Sequence, residues 1–317
     1  MEYLKNNGIE AVNYRVPIYM MENYNSNDIF IMRDDLIPFS FGGNKARKGY
    51  NFFKEILEQK YDYVITYGSA SSNHCRIIAN LAQKYDIKCT IISTEKESDT
   101  FNKEMCNIFK AEYVFCKIEE VKETINEQIE KKEKSGYKPY FIQGGGHGNL
   151  GTQAYIDAYK EIVEFENKKQ LDFDYIFLAS GTGTTQAGLI IGNRLNKKQT
   201  KIMGISIARK KPYGREVIIN SIKEYIDEKN IEVINKNEDV YFLDDYICGG
   251  YGKYNKEIED TIDEELKTNG VPLDTTYTGK AFWGMKKYIE KENIKNKKIL
   301  FIHTGGTPIF FDYLGRR

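Results

Sequence analysis

Hydrophobic residues gather along the chain into short runs that do not alternate in polarity. These are Asp28–Met32 (DIFIM), Tyr63–Thr66 (YVIT), Lys88–Ser93 (KCTIIS), Tyr113–Cys116 (YVFC), Tyr140–Gln143 (YFIQ), Tyr175–Ala179 (YIFLA), Lys201–Ile207 (KIMGISI) and Lys298–Ile302 (KILFI). Rich in β-branched and aromatic side chains, they have the pattern of strands buried on both faces. Between them lie stretches of helical periodicity: Asn73–Tyr85, Val121–Lys134, Gly151–Glu166, Thr184–Leu195, Asn255–Thr268 and Lys280–Glu290. Strands alternating with helices of that length predict right-handed βαβ units, mainly parallel sheets and an α/β fold class.

Open α/β sheets bind ligands beyond the carboxyl ends of their strands, on the loops that open the following helices. Four such loops are rich in Gly, Ser or Thr: Tyr67–His74 (YGSASSNH), Gln143–Gly148 (QGGGHG), Ser180–Thr185 (SGTGTT) and His303–Thr307 (HTGGT). A fifth glycine turn, Gly42-Gly43-Asn44-Lys45, joins them.

Composition narrows the function classes. The 317 residues suit one large domain or two, and 24 Tyr and 17 Phe supply a sizeable core. Lys+Arg 46 against Asp+Glu 46 leaves a formal charge of +0, with no global field to hold a nucleic acid. No run reaches the roughly 18 apolar residues of a membrane span, and MEYLKNNGIE carries no secretory apolar core. The five cysteines (Cys75, Cys89, Cys106, Cys116, Cys248) form no Cys-x-x-Cys pair and read as reduced thiols of a cytoplasmic protein. The three histidines (His74, His147, His303) lack metal spacing, so no metal is expected.

The loop Ser180–Thr185 follows a strand and enters a helix, so its backbone N–H groups and the hydroxyls of Thr182, Thr184 and Thr185 form an anion cradle. It carries no lysine, which fits a phosphate monoester better than a triphosphate. Both Gly-Lys pairs, Gly252-Lys253 and Gly279-Lys280, lack the glycine that P-loop spacing requires. Gly146-His147-Gly148-Asn149-Leu150-Gly151 matches a dinucleotide fingerprint, but the next strand ends in Ser180 rather than in an acid. Ser71, Ser72, Asn73 and His74 open a helix; capping explains one such residue, and a ligand's polar groups would explain four. Lys45 begins a helix beside two glycines, where the helix dipole lowers an ammonium pKa, as condensation with an aldehyde requires. One lysine and one phosphate cradle together fit an aldehyde cofactor that carries one phosphate.

Five ordered motifs carry a resemblance: Gly42-Gly43-Asn44-Lys45-Ala46-Arg47-Lys48, Ser72-Asn73-His74, the loop 181–185, Tyr277-Thr278-Gly279-Lys280 and His303-Thr304-Gly305-Gly306. The chain resembles the pyridoxal-phosphate-dependent D-cysteine desulfhydrase and 1-aminocyclopropane-1-carboxylate deaminase family, within the tryptophan synthase β-subunit-like fold (fold type II). The resemblance implies two three-layer α/β domains with pyridoxal 5'-phosphate in the cleft. Residues 1–49 with 161–317 would form the larger domain and 50–160 the smaller. It also implies a homodimer and a small amino-acid substrate.

By the same resemblance, Lys45 looks like the lysine that joins the cofactor aldehyde and moves the Cα proton. Asn73 looks like the partner of the ring 3′-oxygen, and Ser72 looks catalytic, touching the substrate's amino-acid head beside Ser71 and His74. Gly181, Thr182, Gly183, Thr184 and Thr185 look like the phosphate cup. Thr304 looks like the partner of the ring nitrogen, and Tyr277 like an active-site tyrosine that assists deprotonation or substrate opening. Thr278 stands where the deaminase branch has a glutamate, as in the desulfhydrase branch, so α,β-elimination is expected. Many relatives have Gly and Gln where this chain has Ser69 and Ser71, a glycine in place of Thr184, and a small residue in place of Pro308. Cyclopropane ring opening, β-replacement, racemisation and ligand binding without turnover remain as alternatives.

Overall fold

The computed structural model describes residues 15–94, 99–232 and 237–317. Two sheets organise it. The first has six strands in the order β1 (Ile18–Tyr24), β2 (Asn27–Arg33), β10 (Lys298–His303), β7 (Tyr175–Ser180), β8 (Lys201–Ser206), β9 (Tyr241–Leu243). The second has four, in the order β5 (Glu112–Phe115), β4 (Lys88–Ser93), β3 (Tyr63–Tyr67), β6 (Pro139–Ile142). Every pairing is parallel except β1 with β2.

Ten α-helices connect the strands among the described residues: α1 (Asn44–Glu58), α2 (Asn73–Lys84), α3 (Phe101–Ile108), α4 (Val121–Lys134), α5 (Asn149–Lys169), α6 (Thr184–Leu195), α7 (Tyr213–Lys229), α8 (Lys256–Asn269), α9 (Thr278–Lys291) and α10 (Thr307–Leu314). Successive strand residues point to opposite faces, so each apolar run feeds two cores. Leu300 and Ile302 of β10 join a core that also holds Val64 and Ile91 of the small sheet. Their neighbours Ile299 and Phe301 pack against Ile262, Phe282 and Met285 on the outer face. Tyr63, Ile65 and Ile92 face the other side of the small sheet, against Ile125 and Ile129 of α4. Helices therefore cover both faces of each sheet, the three-layer fold type II arrangement expected from the sequence.

Two strands lacked a sequence signal. β1 is a half-buried edge of mixed polarity, joined to β2 by Asn25 and Ser26 at φ 51° and 63°, a tight left-handed hairpin turn. β9 has only three residues. Residues 49 and 160, where the domains were expected to divide, lie within α1 and α5, which pack on each other. Among the described residues no helix is long and apolar enough to cross a membrane, and no cluster of three His, Cys, Asp or Glu could hold a metal ion. All five cysteines are free.

Candidate active site

The site begins where β2 ends. Arg33 grips Asp35 with two hydrogen bonds of 2.8 and 2.6 Å, and Arg47 pairs with Asp34 at 2.8 Å and Glu161 at 2.6 Å. These largely buried pairs hold a turn in which Ser40, Phe41, Gly42 and Gly43 all have positive φ. A Cβ on Gly43 would stand 2.7 Å from the Thr304 carbonyl oxygen, and one on Gly305 2.8 Å from Gly43 Cα. Only glycines permit that approach, and it seats the first turn of α1 against the end of β10. The Asn44 N–H donates to the Thr304 carbonyl at 3.0 Å. Lys45 follows, its Nζ donating to the Gly145 carbonyl at 3.0 Å. Burial lowers the Lys45 ammonium to about 8. Desolvation is thus the cause, where the sequence had pointed to the helix dipole.

The expected cup lies between β7 and α6. Gly183 sits at φ 94°, and no side chain caps the start of α6, so its first N–H groups face the loop unengaged by a cap. Gly181, Thr182, Gly183 and Thr185 line a cavity of about 690 Å³. Thr185 Oγ1 accepts from Asn44 Nδ2 at 3.2 Å. The Thr184 side chain is fully buried away from this cavity, and its hydroxyl accepts from Lys48 Nζ at 2.7 Å. A lysine therefore does stand behind the cup, contrary to the sequence reading. Burial, reinforced by Lys45, holds its pKa well below the ordinary lysine value. His147 donates from Nδ1 to the Thr182 carbonyl at 3.2 Å. In the dinucleotide-like segment, a Cβ on Gly151 would fall 2.1 Å from the Gly146 carbonyl oxygen, so that glycine serves the tight entry into α5.

Ser72, Asn73 and His74 all reach the cavity at the start of α2. Ser72 is the N-cap, accepting from Cys75 N at 3.2 Å while keeping its own proton to donate. Asn73 Oδ1 accepts from Asn102 Nδ2 at 3.0 Å and from Arg76 at 3.4 Å, leaving its Nδ2 as the group on offer. His74 is buried; since Thr66 gives its proton to the Ile142 carbonyl, His74 Nε2 donates to Thr66 at 2.8 Å. Burial, with Lys45 and Lys48 nearby, keeps that imidazole neutral. Ser71 bonds Ser69 at 3.3 Å and is not among the cavity-lining residues; Ser69 is.

The remaining wall carries Tyr277, Tyr251 and Thr304. Tyr277 Oη lies 2.7 Å from Tyr251 Oη, and burial and this neighbour raise its pKa well above the ordinary tyrosine value. The Thr304 hydroxyl has no partner among the described residues. Thr278 does not line the cavity: its hydroxyl donates to Asp274 Oδ2 at 2.7 Å and accepts from Asp274 N at 2.9 Å, closing the start of α9.

One cavity thus gathers Lys45, Ser72, Asn73, His74, Tyr277, Thr304 and the cup, and excludes the side chains of Ser71 and Thr184. Sequence reasoning had not singled out Lys48, Tyr251, Arg209 or Asn102. Lys48 carried a signal three residues after Lys45, one helical turn on. Tyr251 and Arg209 lie on irregular loops with none. The donor set fits pyridoxal phosphate: a primary amine of lowered pKa, an uncapped helix start flanked by glycines for the phosphate, and an amide donor at Asn73.

Comparisons with known proteins agree. A protein of Pyrococcus furiosus, whose name assigns it provisionally to 1-aminocyclopropane-1-carboxylate deaminase, is 33% identical over 96% of this chain and 93% of its own length. A D-cysteine desulfhydrase of Yersinia enterocolitica is 30% identical over 92% and 91%. The crystal structure of an ACC deaminase homologue, 31% identical, superposes with a TM-score of 0.88 over 98% of this chain and 94% of that one. Residues 13–305 match the family model described as pyridoxal-phosphate dependent enzyme, so the chain belongs to that family and pyridoxal phosphate is its cofactor.

Proposed function

We propose that the protein is a lyase that cleaves a small β-substituted amino acid such as D-cysteine by α,β-elimination, releasing pyruvate, ammonia and the leaving group. The observation that carries this reading is the neutral character of the cavity wall. Apart from Lys45 and Arg209, the described lining side chains are hydroxyl, amide, neutral imidazole or apolar groups, with no carboxylate among them. The same neutral wall would give no charge to protonate a ring nitrogen, the condition that favours the harder ring-opening chemistry. Relatives bear the names of both activities, and the neutral wall favours elimination.

Bound pyridoxal phosphate supplies the electron sink for the bond cleavage. Lys45 holds it and then, as a neutral amine, takes the proton from the substrate Cα. Asn73 Nδ2 donates to the ring oxygen. Ser72 Oγ–H and the N–H groups opening α2 bind the substrate carboxylate. Tyr277 Oη, protonated and partnered by Tyr251, gives a proton to the departing β-substituent. Lys48 backs the cup through Thr184.

The division at 49/50 and 160/161 is part of this proposal, supported by the four-stranded sheet drawing its strands only from residues 63–142. So are a homodimer, supported by the family resemblance, and a cytoplasmic location, supported by the five free cysteines. A pyruvate and ammonia assay over D- and L-cysteine, β-chloroalanine and 1-aminocyclopropane-1-carboxylate tests the reaction. Release of 2-oxobutyrate from the cyclopropane alone would overturn it.

A further inference from the structure

Arg209 is an unpaired guanidinium on the cavity wall. It lies in the loop from β8 to α7 and lines the cavity; its carbonyl accepts from Ser206 Oγ at 2.6 Å, yet its guanidinium makes no hydrogen bond or ion pair among the described residues. Its Nη1 is sealed from solvent without a partner, and its guanidinium carbon stands 5.3 Å from the Tyr213 ring centre. Arginine stays charged in proteins, and a buried donor without an acceptor is costly. With no carboxylate on the described wall, the part of Arg209 that lines the cavity is left open to an anionic ligand.

The fold places that anion at the cup end. The Ile207 N–H donates to the Ser180 carbonyl at 3.1 Å, so the Arg209 loop leaves β8 beside the loop that forms the cup. A Cβ on Gly181 would meet Ile207 Cδ1 at 3.6 Å, and one on Gly183 would meet Ile218 of α7 at 3.1 Å. The end of β8 before the Arg209 loop and the helix after it therefore both pack on the cup. His147, bonded to Thr182 of the cup, has its pKa lowered by burial first and then by Lys48 and Arg209 nearby. Ser72, which takes the carboxylate, caps the helix that follows β3 of the other sheet.

We propose that Arg209 closes the phosphate end of the cavity, donating from its guanidinium to the phosphate of pyridoxal phosphate. A planar fork of two N–H donors matches phosphate oxygens better than a lysine does. With Lys48 behind Thr184, Arg209 supplies the charge that the cup loop itself lacks. The inference rests on the cofactor assignment and is tested apart from it.

The test compares binding of pyridoxal phosphate and of pyridoxal, which lacks the phosphate, to the apoprotein by absorbance and fluorescence titration. Arg209→Gln is expected to weaken pyridoxal phosphate by about ten- to a hundredfold, one charged hydrogen bond, and to leave pyridoxal unchanged. Arg209→Lys, which keeps the charge and loses the fork, should fall between. Equal losses for both compounds would overturn the proposal, as would unchanged cofactor affinity with a raised KM for the amino acid, which would give Arg209 to the substrate carboxylate. Failure of the wild-type protein to prefer pyridoxal phosphate over pyridoxal would instead overturn the placement of the phosphate in the cup.

Discussion

Tyr251 Oη and Tyr277 Oη meet at 2.7 Å, their rings edge to face with centroids 5.9 Å apart. Tyr251 comes from an irregular loop with Gly249, Gly250 and Gly252 at positive φ, and Tyr277 from the residue before α9. The pair makes each hydroxyl orient the other. With its pKa raised well above the ordinary tyrosine value, Tyr277 stays protonated, as the proposed transfer to a leaving group requires. Tyr277→Phe is expected to lower kcat by about a hundredfold or more, the range of a lost general acid. Tyr251→Phe should lower it by about tenfold, one neutral hydrogen bond, with cofactor affinity unchanged. Steady-state kinetics of the holoenzymes check both, and equal kcat values for Tyr251→Phe and wild type would remove Tyr251 from the proton path.

Lys280 explains why that loop stays in place. It is fully buried, and its ammonium donates to the Ile207 carbonyl at 3.2 Å and the Gly250 carbonyl at 2.7 Å. Lys280→Met would strip the Ile207 carbonyl of this donor, leave the Gly250 carbonyl only the Lys253 N–H at 3.2 Å, and free the loop next to Tyr251. The expected loss in kcat equals that of Tyr251→Phe, and the double variant should be no worse than either alone, since both act through one contact. Additive losses in that cycle would show that Lys280 acts elsewhere.

Lysine must be neutral to attack an aldehyde, and neutral fraction rises as pH passes the pKa. For an ordinary lysine that rise centres near 10.4, whereas burial brings Lys45 to about 8. Capture of pyridoxal phosphate by the apoprotein should therefore accelerate with pH, reach half its limiting rate near pH 8 and level off above it. Stopped-flow absorbance measures this, and a rate still climbing at pH 10 would contradict it. Borohydride reduction followed by mass mapping should place the cofactor on Lys45.

The fold class was legible because a parallel sheet demands continuous apolar runs, and eight of the ten described strands have one. The two others escape for physical reasons: β1 is an edge strand with one wet face, and β9 is too short to show a pattern. At the site, Lys45, Asn73, Thr304 and the cup lie at strand ends, where the fold dictates ligands. Tyr251 and Arg209 could not be read, because their loops have no periodicity and the partner of Tyr251, Tyr277, is distant in sequence. Thr184 and Ser71 show the converse limit. A hydroxyl in the right motif still points wherever its backbone sends it, here to Lys48 and Ser69.

Thr278 shows why one residue need not switch the reaction. Its hydroxyl and backbone N–H are both bonded to Asp274, whose carboxylate also accepts from the N–H groups of Thr276 and Tyr277 at 2.8 and 2.7 Å. Burial raises the pKa of Asp274, and these donors counter it. Thr278→Glu would set a second carboxylate against the first, with an expected cost of about 3–5 kcal/mol for an unpaired buried charge. It should not create release of 2-oxobutyrate from 1-aminocyclopropane-1-carboxylate. Thr278→Ser keeps the box and should keep both stability and activity. Chemical denaturation and product assays decide, and a stable Thr278→Glu enzyme that opens the cyclopropane would refute this account.

Gly43 and Gly305 fix the distance between the lysine and the end of β10. Gly43 has φ 91° and Gly305 φ 103°, and their backbones touch. An alanine at either position incurs roughly 1–3 kcal/mol for positive-φ backbone, plus roughly 1–3 kcal/mol for crowding against the facing chain. Gly136 isolates the first cost, since its φ is 84° and nothing lies within 4 Å of a Cβ there. Gly136→Ala should therefore destabilise by only that first amount and leave kcat intact. Gly43→Ala and Gly305→Ala should each destabilise more and lower kcat, because relieving the contact moves α1, and Lys45 with it, away from Thr304. The double variant should cost less than the sum, as a single widening of the gap accommodates both methyl groups. Denaturant midpoints and kcat for the four proteins provide the measurement. If Gly43→Ala behaves like Gly136→Ala in both, the close approach does not set the position of Lys45.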